Sequence, residues 1–142
     1  KKKIRIPILV TLDSCNIKPN IKADKAAILK VMKNQEVAWS TNDLDGFMEG
    51  YYKSDSLKFM EKIINKGWKQ TLDNYKKGYP TKDHSGTLTF QITDISPIES
   101  QSYWVMGSYF LSRNVGDANG VFMVIFKKIE DKWKIVADMS CG

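Results

Sequence analysis

The spacing of apolar positions changes once along this chain, and the change splits it into two halves. From Asp24 onward Ile28, Val31, Met32, Gln35, Ala38 and Trp39 recur at three- and four-residue intervals, the spacing of a single helix face. Asp24 is placed to cap that helix, and Asn42 to end it. Asp43 or Asp45 can then cap a short second helix running through Phe47, Met48 and Tyr51. "SLKFM" reads as a brief strand. "GWKQTLDNYKKGYP" reads as a third helix, with Trp68, Leu72 and Tyr75 on one face and Gly78 and Pro80 stopping it. From Thr87 the period falls to two. "TLTFQITDI", "SYWVMGSYFLSR", "GVFMVIFKKIE" and "KWKIVADMS" predict four strands separated by "SPIESQ", "NVGDANG" and "DK", the last two short enough for hairpins. Helices followed by an antiparallel meander give an α+β class, N-terminal helices packed on a curved antiparallel β-sheet.

One stretch invites a different reading. In "TNDLDGFMEG" Asp43, Asp45 and Gly46 imitate half of a calcium loop, but counting Gly46 as loop position 6 puts Thr41 first and Tyr52 twelfth. A calcium loop needs a carboxylate at both ends. The aspartates are therefore read as helix caps.

Residues 1–14, "KKKIRIPILVTLDS", have a basic start and a short apolar segment broken by Pro7, which follows secretory logic. With Leu12 and Ser14 ahead of Cys15 the head resembles a bacterial lipoprotein signal, although Asp13 departs from the pattern. That resemblance implies cleavage, acylation of Cys15, an exported protein held to a membrane by its lipid, and residues 15–23 as a tether before a domain over 24–142. The alternative is an ordinary N-terminal strand in a cytoplasmic protein. No other apolar run approaches the ~20 residues of a membrane span. The chain carries a net charge of +6, half of it within residues 1–14. The remaining lysines are scattered, which argues against a nucleic-acid partner. Cys15 and Cys141 are the only cysteines, too few and too far apart for a cysteine-based zinc site.

The element order and several words resemble the nuclear transport factor 2-like superfamily, the cone shared with ketosteroid isomerase, in its SnoaL-like branch. "AWSTNDLDGFMEGYY" is similar to the helix-turn-helix of that family. "GWKQTLDNYKKGYP" is similar to its third helix, and "GSYFLSR…GVFMVIFKKIEDKWKIVAD" to its final strands. The resemblance implies the fold over residues 24–140 and leaves activity open, because one scaffold serves many functions. Relatives end on Asp-His-Thr-Ser or similar, where this chain has Asp138-Met139-Ser140-Cys141. Methionine cannot shuttle protons, so an acid–base role through that histidine is lost.

Site residues follow from these elements. His84, the sole histidine, is expected in a solvated loop, and neither a serine triad nor a metal site can be drawn around it. Period-two alternation groups Met139 with Trp133, Ile135 and Ala137, so Met139 is expected inside the cone and Asp138 outside. Asp94 and Asp138 are weak candidates for a catalytic base, with Tyr51, Tyr75 or Tyr109 as donors. The expected ligand wall is Trp39, Tyr51, Trp68, Tyr75, Tyr109, Arg113, Phe122 and Met139, an apolar lining with few polar tips. No cofactor and no metal are expected. Apolar residues on both faces of "SYWVMGSYFL" and "VFMVIF" require two burials, and the family habit implies a homodimer through the outer face. The first expectation is non-catalytic binding of an apolar or amphipathic small molecule, with little dependence on pH because a methionine wall does not titrate. A cofactor-independent isomerase, cyclase or dehydratase and a purely structural dimerisation module are the alternatives.

Overall fold

A computed structural model describes residues 19–142. The leader, Cys15 and the first part of the expected tether lie outside them, and the tether's last three residues belong to the first helix. Helix α1 spans Ile21–Ser40, beginning three residues before Asp24. Asn20 is the cap, its Oδ1 accepting from the Ala23 amide at 3.0 Å. Ile28, Met32, Gln35 and Trp39 form its buried face, matching the periodicity. Asn42 ends it in a left-handed conformation, φ 57°, which asparagine tolerates better than most residues. Asp43 caps α2 (Leu44–Met48), accepting from the Gly46 amide at 2.9 Å.

The strand read in "SLKFM" is β1 (Lys58–Met60), and β2 (Ile64–Lys66) folds back on it. Neither periodicity nor turn chemistry marks β2, which is as short as β1 and has Asn65 at its centre where β1 has Phe59. Helix α3 (Trp68–Gly78) and the short α4 (Lys82–Ser85) lead into the long strands β3 (Thr87–Glu99), β4 (Ser102–Ser112), β5 (Ala118–Ile129) and β6 (Lys132–Cys141). Strand β3 runs through most of the segment expected as a loop and turns at Ser100–Gln101. The last hairpin turns on Glu130 and Asp131, both at positive φ, the geometry of the tight turns that match strand twist.

The six strands of the described residues form one sheet in the order β2-β1-β6-β5-β4-β3, antiparallel except where β1 runs parallel to β6. The sheet is curved and unclosed. Bulges interrupt its register at Thr93, between the Ile92–Gly107 and Asp94–Met106 pairs, and at Val136, where Ile125 and Phe126 face Ala137 and Ile135. Each inserts one extra residue and bends its strand. Gly107 sits opposite the first bend, where a Cβ would run into the Gln91 carbonyl.

These bulges overturn two orientations expected from simple alternation. Trp133 and Ile135 do face inward, at 5% and 2% exposure. The extra residue at Val136 then resets the phase, so Asp138 faces inward at 7% exposure and Met139 faces outward at 42%. On β3 the bulge at Thr93 leaves Asp94 beside Met106 on the outer face, exposed and bonded to the Ser96 hydroxyl. Helices α1, α2 and α3 cover the concave side. The core between them holds Met32, Trp39, Phe47, Met48, Tyr103, Val105 and Phe126.

Candidate functional site

Between helices and sheet lies a cavity of about 520 Å³, within the usual range for a small-molecule site. Trp39 and Gln35 come from α1, Phe47 from α2, Thr71, Asn74 and Tyr75 from α3, and Phe90, Tyr109, Phe122, Val124, Ile135 and Asp138 from the long strands. The β1–β2 hairpin adds Phe59, Glu61, Ile63 and Asn65, and Tyr79 and Arg113 also line the space.

Its most polar feature follows from local pairing. Segment Gly50–Tyr52 runs beside β6, with the Tyr52 amide donating to the Ile135 carbonyl and the Ile135 amide to the Gly50 carbonyl. Tyr51 is thereby fixed against the strand just ahead of the bulge. Its hydroxyl donates to Asp138 Oδ2 at 2.6 Å, and the Ser140 hydroxyl donates to Oδ1 at 2.7 Å. Asp138 is the one buried carboxylate among the described residues. Burial pushes its pKa up to about 6, against the pull of the two hydroxyl donors, because a low-dielectric site disfavours the charged form. Burial, and then the Asp138 charge, hold the Tyr51 and Tyr75 hydroxyls well above the usual phenol value. Both are neutral donors at physiological pH.

The walls are aromatic. Trp39 meets Phe47, Tyr75 and Tyr79 at centroid distances of 4.9, 5.3 and 4.7 Å, all edge to face. Phe59 joins through Tyr75 at 5.8 Å, and Phe90 packs on Phe122 at 5.3 Å. The Trp39 indole N–H is committed to the Ser85 carbonyl at 2.9 Å, which fixes the ring. Arg113 donates through Nε to the Gly116 carbonyl at 2.7 Å and through Nη1 to the His84 carbonyl at 3.3 Å. Two of its five N–H donors are therefore engaged by backbone.

Of the wall expected from sequence, Trp39, Tyr51, Tyr75, Tyr109, Arg113 and Phe122 lie along the cavity. Trp68 and Met139 do not. Trp68 starts α3, about 10 Å along the axis from Tyr75 at helical rise. Its indole donates to the Met48 carbonyl at 2.8 Å, and Lys53 lies over its ring at 4.7 Å. Met139 is displaced by the bulge, and Asp94 by its counterpart on β3. Asp138, expected outside, takes the inner place. His84 lies in α4, its Nδ1 sharing a 2.8 Å hydrogen bond with the Thr81 hydroxyl. Phe47, Phe59, Glu61, Tyr79, Phe90 and Ser140 join the site without having been expected there. The period-two run into Ser140 contains no residue type that announces a bulge. No group of three or more histidines, cysteines or acids able to hold a metal occurs among the described residues.

No family profile matches the chain, and no curated protein does. Solved structures match well. An NTF-2-like protein of unknown function from Shewanella oneidensis MR-1 is 35% identical, with a TM-score of 0.81 over 84% of this chain and 99% of its own. The chain belongs to the nuclear transport factor 2-like superfamily. A domain of unknown function with a cystatin-like fold from Nostoc punctiforme PCC 73102 is 16% identical, with a TM-score of 0.70 over 84% of this chain and 76% of its own. A ketosteroid isomerase-like protein from Erwinia carotovora atroseptica SCRI1043 is 11% identical, with a TM-score of 0.61 over 82% and 93% of the two chains. At such identities these last two speak for the nuclear transport factor 2-like fold alone.

Proposed function

We propose that the cone binds a small amphipathic molecule, its apolar body against the aromatic walls and its polar end at Asp138. The supporting observation is the union, in one cavity of about 520 Å³, of those walls with a buried carboxylate held by Tyr51 and Ser140. A cone that served only as a structural module would be filled by its own side chains. Native mass spectrometry of gently purified protein, followed by thermal-shift screening, tests this. A co-purified mass or a stabilising compound whose effect is lost in Phe122→Trp, which fills the wall, supports it. Indifference to a broad panel of amphipathic compounds sinks it.

A second reading is favoured by the same aspartate. A carboxyl with a pKa of about 6 is suited to accept a proton at neutral pH. With Tyr75 donating to the oxygen of an apolar carbonyl compound, Asp138 could take a proton from the adjacent carbon and return it elsewhere. Ketosteroid isomerase, which pairs an aspartate base with hydroxyl and carboxyl donors, is a known case of that chemistry. The methionine standing where relatives carry histidine does not oppose this reading, because Met139 is outside the cone. Deuterium exchange into enolisable ketones, followed by NMR, should then depend on Asp138. Exchange no faster than in buffer would leave binding alone.

Two further proposals concern assembly and location. The outer face carries Met60, Met139, Met123 and Met106 in direct register across β1, β6, β5 and β4, with Ile64 beside Met60 on β2. Phe110 and Val121, at 46% and 59% exposure, extend it. An apolar row of this length suits a two-fold partner, and Met123→Lys should shift a dimer mass to a monomer mass by light scattering. A monomer at micromolar concentration in the unmodified protein would count against it. For the head of the chain we propose acylation of Cys15, on the strength of its sequence words. Replacing Cys15 with Ser should then release the protein from the membrane fraction.

A further inference from the structure

We infer that the cone's ligand is an organic cation, an ammonium group set between the Asp138 carboxylate and the surrounding aromatic rings; this rests on the binding reading above.

The first observation is an uncompensated charge. Among the described residues Asp138 accepts only from the neutral hydroxyls of Tyr51 and Ser140, and none of the ion pairs there includes it. A buried carboxylate is costly unless paired. Among the described residues the protein provides it with hydrogen bonds and no cation, although the chain holds 22 lysines and arginines. Among the described residues only Arg113 of these lines the cavity, against two acids, Glu61 and Asp138. A basic protein thus lines this cavity with one more acid than base, and of the two acids Asp138 is the buried one.

The second observation is independent of the first. Trp39, Phe47, Phe59, Tyr75 and Tyr79 line the same space and meet edge to face, except Tyr75 and Tyr79, which are tilted at 47°; none is stacked flat on its neighbour. Phe47 lies 5.7 Å from Tyr51, whose hydroxyl holds Asp138, so rings and carboxylate form one continuous group. Aromatic enclosures of this kind attract ammonium and quaternary ammonium groups through the negative faces of the rings. An anion would meet Asp138 unfavourably, and a neutral ligand would leave it unpaired. A cation satisfies both features.

Protonation of Asp138 should compete with such a ligand. The groups facing it from the packed elements are Tyr51, Tyr75 and Ser140, with Glu61, Tyr79, Tyr109 and Arg113 farther out in the same cavity; α1 and β5 contribute Gln35, Trp39, Phe122 and Val124, none of which titrates. The test uses a matched series of probes: 4-phenylbutylamine, its trimethylammonium analogue, 4-phenylbutanol and 4-phenylbutanoate. Binding is read by tryptophan fluorescence and thermal shift on the unmodified protein. At about pH 7.5 the two cations should bind at least about tenfold more tightly than the alcohol, and the carboxylate most weakly. The trimethylammonium probe has a fixed charge, so its affinity should fall as pH drops through about 6, where Asp138 takes up a proton. In folded Asp138→Asn the preference for cations should disappear. If that variant does not fold, the comparison of probes in the unmodified protein decides. Alcohol or carboxylate binding as tightly as the amine overturns the inference and leaves small-molecule binding standing. Failure of this series and of a wider neutral panel overturns both.

Discussion

The two faces of the one sheet carry similar apolar content and meet opposite fates. On the concave side Phe122, Val124, Phe126 and Ile135 are almost wholly buried, and a single carboxylate is enclosed among aromatic rings. On the convex side a row of methionines lies partly exposed, Met60, Met106 and Met139 at 42%, 37% and 42%. Asp138 and Met139 are neighbours in sequence and belong to different worlds. The concave face places a charge where it is costly, as functional sites often do. The convex face places flexible, polarizable side chains where a partner could settle on them. Residue type alone therefore says little about role in this fold, and face says much.

The largest effect should come from emptying the concave side. Phe126, at 0% exposure, becomes a cavity in Phe126→Ala, at a cost of about 3–5 kcal/mol in urea denaturation. The same truncation at Met139 should cost well under half of that in the monomer. Equal losses at the two positions would erase the distinction between the faces.

Next comes the enclosed charge itself. Asp138 has a pKa of about 6 in the folded protein, raised from its ordinary value of 3.8. Between about pH 4 and 6 the folded state therefore holds a proton the unfolded state has lost, and stability falls as pH rises through that window. Above it Asp138→Asn should be more stable than the parent by up to about 3 kcal/mol, and the gain should vanish near pH 4. A variant that is less stable at neutral pH would mean that the charge has a cation partner. Binding by the parent should follow the same window, in contrast to the pH-indifference expected of a methionine wall.

Tyr51→Phe sharpens the same point from the donor side. It removes a charge-assisted hydrogen bond, worth about 1.5–3 kcal/mol when the acceptor is ionised, and should move the Asp138 titration above 6, as followed by the carboxyl carbon in NMR. Since Tyr51 draws that pKa down, a downward movement would contradict the geometry. The smallest effect belongs to the convex side. Met139→Asp should change monomer stability by about 0.5 kcal/mol or less and leave cone ligands bound as before, while disrupting any dimer. Weakened ligand binding in a folded monomer would return Met139 to the wall.

Much of the fold was legible because periodicity reports burial directly. The face of α1, the caps at Asp43 and Asn42, and the long strands all follow from local spacing and capping chemistry. Six of the eight expected wall residues lie along the cavity for the same reason. Trp68 was misplaced because sharing a helix face does not mean sharing a height along its axis. Strand β2 was missed because it is as short as β1 and has Asn65 at its centre where β1 has Phe59.

By itself the sequence determined the order of the main helices and long strands, the superfamily, and which residues are apolar enough to build a cone. Tertiary structure decided the contents of that cone. The bulge at Val136 sits where β6 pairs with β5, with β1 and with the Gly50–Tyr52 segment at once, and no residue type in the strand announces it. One extra residue exchanges the faces of everything beyond it. That exchange brings Asp138 inward to Tyr51, 87 positions away in sequence, and turns Met139 out to complete the methionine row.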